Sequence, residues 1–153
     1  MMNIRPLNAH DIPALQVVLN ETGLFPAELL PELVGGFLSD QQSDDIWLTC
    51  EDSGRAIGFC YAAPEPLTEG TWNMRAIAVL PSRQQTGVGA ALVKALEAKL
   101  IALGQRILIV DTSGAVAFDR TRQFYRNNHY VEEARIRDFW ASGDDKVIFW
   151  KAL

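Results

Sequence analysis

The residues Gln84-Gln85-Thr86-Gly87-Val88-Gly89-Ala90-Ala91 place two glycines one residue apart, where an apolar strand pattern gives way to helical spacing. A helix N-terminus carries backbone N–H groups with no intrahelical acceptor and a partial positive charge, and glycine lets a bulky anion approach the main chain. Such a segment can hold a phosphate or pyrophosphate. Glycines at this spacing also serve tight turns and close helix–sheet packing, so spacing alone supports both readings. Two common phosphate motifs fit poorly. A dinucleotide fingerprint wants a third Gly or Ala where Leu92 stands, and a P-loop wants a Gly-Lys-Ser/Thr ending that is absent. The stretch from Leu80 to Gln85 is also a longer approach than a Rossmann turn has.

A second set of residues could move protons. Tyr125, in Gln123-Phe124-Tyr125, offers a phenolic donor, against the commoner fate of a core aromatic. Neighbouring helical residues point about 100° apart, so Phe124 is expected to take the core and Tyr125 to face a cleft. Asp111, ending the fifth strand, and Glu65 and Glu69, ahead of the fourth, are carboxylates that could accept a proton; solvated loop carboxylates and caps are commoner. Trp140, Asp144 and Asp145 surround the last turn, as turn formers or as an acidic rim attractive to a cation. His129 is read as a left-handed helix terminator. Cys50 and Cys60 flank a predicted turn without a CxxC pair or clustered histidines, which points to buried reduced thiols and no metal.

The elements that must position these residues alternate along the chain. Asn3 to Leu7 is a short strand; Asp11-Ile12-Pro13 opens a helix through about Glu21, since Asp can cap and Pro suits a first turn; Pro26 to Leu38 is a second helix. Ile46 to Cys50 and Ala56 to Tyr61 flank Glu51-Asp52-Ser53-Gly54-Arg55 as a hairpin. Trp72 to Val79 is the fourth strand, stopped by Pro81. From Gly87 to about Leu103 the residues Val88, Leu92, Leu96, Leu100 and Leu103 share a face, with Lys94 and Glu97 opposite, and Gly104 suits a C-cap. Arg106 to Asp111 reads as a buried strand of the fully apolar kind. Phe118 to Asn128 is a last helix, and Tyr130 to Trp140 and Lys146 to Lys151 are strands joined across Ala141 to Asp145.

At 153 residues, 48% hydrophobic and 22% charged, the chain suits one α/β domain, residues 1–153. The N-terminus lacks a signal-peptide pattern and no apolar run is long enough to cross a membrane, so a cytoplasmic protein without membrane association is expected. A net charge of −5 disfavours nucleic acid and would attract a cationic amine.

Gln84, Gly87 and Gly89 match the coenzyme A pyrophosphate motif Gln/Arg-x-x-Gly-x-Gly/Ala, and the chain resembles the GNAT superfamily of N-acetyltransferases. Supporting stretches occur in the family's order: Ala76-Ile77-Ala78-Val79-Leu80-Pro81, Gln123-Phe124-Tyr125 before Asn128-His129-Tyr130, and Glu133 to Trp140 before Gly143 to Ile148. Two positions depart. His129 stands where many members have Gly, and about Phe118 this chain lacks the cofactor-contacting Asn that many members carry, so that contact is not carried over. The resemblance implies a single-domain GNAT-like α/β fold, a mixed, mostly antiparallel sheet of about seven strands with flanking helices. It implies acetyl-coenzyme A held by Ala78, Val79, Leu80, Gln84, Gln85, Thr86, Gly87, Val88, Gly89, Ala90 and Tyr125, without metal. The Val79 N–H would polarise the thioester carbonyl, Tyr125 would protonate the leaving thiolate, and Asp111 is the candidate base. A small-molecule amine is the expected acceptor, because 153 residues leave little surface for reading a peptide. A protein or peptide N-acetyltransferase, a noncatalytic acyl-coenzyme A module and another nucleotide binder are the alternatives; a homodimer is compatible with the resemblance.

Overall fold

After β1 (Met2–Pro6) the chain turns through a capping box. In the computed structural model, which describes residues 1–39 and 43–153, Asn8 Oδ1 accepts the His10 N–H at 3.0 Å and Asp11 Oδ2 accepts the Asn8 N–H at 2.8 Å. This closes one 3-10 turn before α1 (Ile12–Thr22). The expectation that Asp11 caps α1 is corrected. Its carboxylate makes no cap bond to that helix and is taken by Arg5, whose Nη1 and Nη2 each donate at 2.8 Å. Burial alone would push the Asp11 carboxyl up, but the Arg5 guanidinium and the Asn8 N–H outweigh it and hold the group below its ordinary value.

Contacts divide the chain into two compact units, Met1–Ala63 with Arg75–Lys99, and Pro64–Met74 with Leu100–Leu153. In the first, β2 (Ile46–Asp52) and β3 (Arg55–Pro64) form the expected hairpin, and β1 pairs antiparallel with β2. Ser53 and Gly54, at φ 53° and 80°, supply the two left-handed residues of a turn whose twist matches the strands. Leu15, Val18 and Leu19 of α1 and Leu30 and Val34 of α2 (Leu30–Leu38) share a core with Trp47 and Phe59. Trp47 stacks on Tyr61 at 4.1 Å and on Phe59 at 5.8 Å. Each such buried side chain contributes about 1.5–3 kcal/mol. Cys50 and Cys60 are free and buried; burial raises both thiols, Cys60 to about 12, so neither is a ready nucleophile.

The helix α3 (Val88–Ala102) buries Val88, Leu92, Leu96 and Leu100 as expected. Two expectations are corrected there. Leu103 is 56% exposed, because the helix stops one residue earlier and Gly104 turns the chain at φ 73°. Glu97 is only 9% exposed, because Val93, Glu97 and Leu100 form a second covered row and the buried arc exceeds one stripe.

In the second unit Thr71–Asn73, opening β4 (Thr71–Val79), pair in parallel with Ile107–Ile109 of β5 (Ile107–Ser113). β7 (Asp144–Ala152) runs antiparallel to β5 and to β6 (Val131–Ala141). β5 is not buried on both faces as expected: Leu108 and Val110 are buried, Ile107 and Ile109 half-buried. The last link shrinks to Ser142-Gly143, with Gly143 at φ 80°. The strand order β1-β2-β3-β4-β5-β7-β6 makes a seven-stranded mixed sheet, and with its helices the α/β fold that the resemblance implies. Among the described residues no helix is long and apolar enough to cross a membrane.

Asp11→Ala should lower stability at neutral pH by about 1–3 kcal/mol, because it removes both Arg5–Asp11 bonds, leaving Arg5 to Glu51 at 3.4 Å, and reopens the turn. A carboxyl held below its ordinary value stabilises fully above that value, 3.8, and ceases to do so as the pH falls through its lowered folded value. Urea titrations at neutral pH and below pH 3.8 should therefore show the gap between wild type and variant closing in acid.

Candidate active site

The strand β4 ends where Pro81 withdraws a backbone donor. Leu80 still donates its N–H to Ile57 O at 2.8 Å, and Pro81–Arg83 form one 3-10 turn, closed by the Arg83 N–H on Leu80 O at 2.8 Å. Gln84 then reaches back, Nε2 donating to Val79 O at 3.1 Å, while the Thr86 hydroxyl donates to Arg83 O. Gln85 at φ 62° and Gly87 at φ 92° bend the main chain so that α3 starts at Val88. A Cβ on Gly87 would meet no atom of the described residues within 4 Å apart from its chain neighbours. Ala91 donates to Gly87 O at 3.0 Å, and the N–H groups of Val88, Gly89 and Ala90 precede that first helical bond. The arrangement fits a pyrophosphate on geometry: exposed main chain at Gln84–Gly87 and a helix N-terminus.

Ala78, Val79, Leu80, Gln84, Gln85, Thr86, Gly87, Val88, Gly89 and Ala90 thus follow one another from strand end over turn to helix start. Val88 and Ala78 are buried, so any ligand contact from them is through the main chain. Two contributors escaped sequence reasoning. Gly58 is required by close approach, since a Cβ there would lie 2.9 Å from Ala78 O. Arg83 pairs with Asp52 at 2.8 Å and ties the turn to the β2–β3 hairpin; the N-terminal ammonium and Arg83 together hold the Asp52 carboxyl near about 2. A lone glycine in an apolar strand was the only available signal for the first, and nothing marked the second.

In the second unit Tyr125 lies on α4 (Asp119–Asn127). The expected division of labour with Phe124 is reversed: Tyr125 is 3% exposed and Phe124 half-buried. The reason is the reversal at His129, φ 70°, where the Tyr130 N–H donates to Tyr125 O at 3.0 Å and the two rings come within 6.0 Å, with Phe149 of β7 at 5.3 Å. His129 is therefore the left-handed terminator expected of it. Burial pushes the Tyr125 hydroxyl well up, so it keeps its proton at neutral pH. Arg122, buried beneath the helix start, donates to Ser113 O at 2.7 Å and Ala115 O at 2.9 Å and to Asp119, and Phe118 sits exposed before the helix.

Asp111 does not stand as a lone strand-end carboxylate. Its Oδ2 accepts from Asn73 Nδ2 at 3.3 Å and pairs with Lys146 Nζ at 3.3 Å, and Asn73 Nδ2 also donates to Glu65 Oε1 at 2.9 Å. Glu69 enters instead through its main chain, accepting Arg106 Nε at 2.7 Å. The acidic turn is committed to the hairpin: Asp144 accepts the Ser113 hydroxyl, and Asp145 accepts the Asp138 N–H and Arg135, both at 3.0 Å, which hold its carboxyl low. Trp140 Nε1 donates to Thr112 O at 3.2 Å.

These features define an α/β protein in which a strand end, a glycine-bearing turn and a helix start follow one another. The profile of the acetyltransferase (GNAT) domain matches residues 42–132, and the chain belongs to that family of acyltransferases. A GNAT-family structure from Desulfovibrio desulfuricans is similar at 29% identity and TM-score 0.90, covering 99% of both chains. The fold is also that of an aminoglycoside 6'-N-acetyltransferase complexed with coenzyme A, at 16% identity, TM-score 0.80 and coverage of 98% of this chain and 96% of the other. The ribosomal-protein-S18-alanine N-acetyltransferase from Escherichia coli is similar at 18% identity and TM-score 0.78, covering 99% and 94%. No curated protein sequence matches the chain.

Gly58→Ala should cost about 1–3 kcal/mol, because the added methyl must displace the Ala78 carbonyl rather than a flexible side chain. A urea midpoint equal to that of wild type, at unchanged slope, would refute the close approach.

Proposed function

We propose that this GNAT-family chain transfers the acetyl group of acetyl-coenzyme A to the primary amine of a small molecule. The observation that carries the reading is the turn from Val79 to Ala90, which ends at the start of α3, where the first N–H groups have no acceptor within the helix. Gln85 to Ala90 would hold the pyrophosphate, and the Val79 N–H would polarise the thioester carbonyl. A preorganised backbone donor stabilises charge developing on that oxygen. The ammonium of the acceptor loses one proton, for which Asp111 is the proposed acceptor, and the neutral nitrogen bonds to the acetyl carbon as the C–S bond breaks. Tyr125 gives its proton to the departing thiolate and is reprotonated by the second proton that the nitrogen sheds on becoming the amide. Desolvation supports that role because it keeps the phenol in its donating form. A net charge of −5 supports a cationic acceptor.

Two substitutions test the assignment. Gly89→Asp should weaken coenzyme A binding at least tenfold in calorimetry while the folded spectrum is retained; unchanged affinity would reject this turn as the site. Tyr125→Phe should lower kcat by about 10²–10⁴ with coenzyme A affinity little changed, checked by single-turnover thiol release beside a binding titration. Since burial holds the phenol protonated past its ordinary value of 10.0, the wild-type rate should show no loss of this acid below that pH.

A further inference from the structure

The pairing register places Asn73, Asp111 and Lys146 on one face of three adjacent strands. Asn73 is opposite Ile109, two residues from Asp111; Asp111 is opposite Ile148, two residues from Lys146; and side chains two apart on a strand share a face. Glu65 joins them because its N–H donates to Thr71 O at 2.8 Å, which folds the segment before β4 back over that strand. The Asn73 amide nitrogen donates to Glu65 Oε1 and Asp111 Oδ2. Two carboxylate acceptors on one side fix which end of the amide points where. Its oxygen must therefore point the other way.

Asn73 is 7% exposed, and its Oδ1 is buried with no hydrogen-bond partner among the described residues. Asp111 Oδ1 is in the same condition, while Asp111 Oδ2 takes both Asn73 and Lys146. Buried polar oxygens are nearly always paired, and two orphaned acceptors on side chains already in contact call for a donor. Formal charge agrees: Glu65 and Asp111 against Lys146 leave one negative charge. A primary ammonium, the form in which an acceptor amine arrives, has N–H bonds in several directions, a positive charge and no acceptor of its own.

Resting on the acetyltransferase reading above, we infer that Asn73 and Asp111 form a two-oxygen receptor for the ammonium head of the acceptor, with Asn73 its specificity-determining member. The ammonium donates one N–H to Asn73 Oδ1 and another to Asp111 Oδ1, and its charge is met by the excess carboxylate of the cluster. Quaternary ammonium, with no N–H, and uncharged alcohols are excluded by the same chemistry.

The test has a binding arm and a kinetic arm. In the first, wild type and Asn73→Leu, without acetyl-coenzyme A, are titrated with propylamine hydrochloride, tetramethylammonium chloride and propanol, followed by amide chemical shifts. A saturable response to propylammonium alone, lost in Asn73→Leu, is expected; no saturable response, or the same response in the variant, overturns the receptor. In the second, Asn73→Leu should lower kcat/KM for the best amine of a panel at least tenfold and leave the KM for acetyl-coenzyme A within twofold. A parallel rise in both KM values, or no change in either, overturns the inference by making Asn73 structural. If Asn73→Leu does not fold, Asn73→Ser, which keeps a donor toward Glu65 and Asp111 but withdraws the amide oxygen, carries both arms. Wild type that binds propylammonium but releases thiol with no amine would refute the acetyl-transfer reading while leaving the receptor standing.

Discussion

The first N–H groups of a helix have no carbonyls within that helix to receive them, and the chain from Val79 to Gly87 is shaped by that constraint. Pro81 stops the strand, the Gln84 side chain returns to the carbonyl at the strand end, and left-handed residues at Gln85 and Gly87 turn the backbone into α3 without crossing the helix mouth. Burial of Val88, Leu92 and Leu96 then fixes the helix axis, and with it the direction of the partial charge at its start. Gly58 belongs to the same construction, since it lets β3 close on Ala78 and Val79. A site made largely of main chain depends on side chains only where they permit a conformation or an approach, and that is why its residue types are so plain.

The second unit handles charge differently. Most of its ionisable groups are consumed by structure: Arg122 holds the start of α4, and Asp144 and Asp145 hold the last hairpin. Glu65, Asn73, Asp111 and Lys146 also bind one another, yet two of their buried oxygens have no partner among the described residues. Strand periodicity brings them together, and a one-residue slip of β5 against β4 or β7 would send Asp111 to the opposite face. A packed fold tolerates such orphaned groups at a cost of about 1–3 kcal/mol each, which sets them apart from the satisfied charges around them.

In Tyr125, burial of an aromatic side chain and retention of its proton go together. Packing against Phe149 and Tyr130 removes water from the ring, and removing water disfavours the phenolate, so the contacts that place the residue in a core also preserve its proton.

Much of this was legible in the sequence because it is local. Proline at the end of β4, Gly87 at the head of α3, Gly104 at its end, Ser53-Gly54 between β2 and β3, and His129 after α4 each act through backbone conformation over a few residues, and each does in the structure what its type predicts. The order of strands and helices followed from apolar periodicity for the same reason. What the sequence did not determine depends on partners distant along the chain. Asp11 has the chemistry of a cap but meets Arg5; Glu97 has the chemistry of a solvated face but lies under a second covered row; Tyr125 and Phe124 exchange places because of Phe149 and Tyr130. Asn73, unremarkable within β4, gained significance only when register set it beside Asp111, thirty-eight positions away. Turn chemistry is written within reach of a few bonds, whereas burial and pairing are properties of what the folded chain brings alongside, and only the tertiary structure decided those.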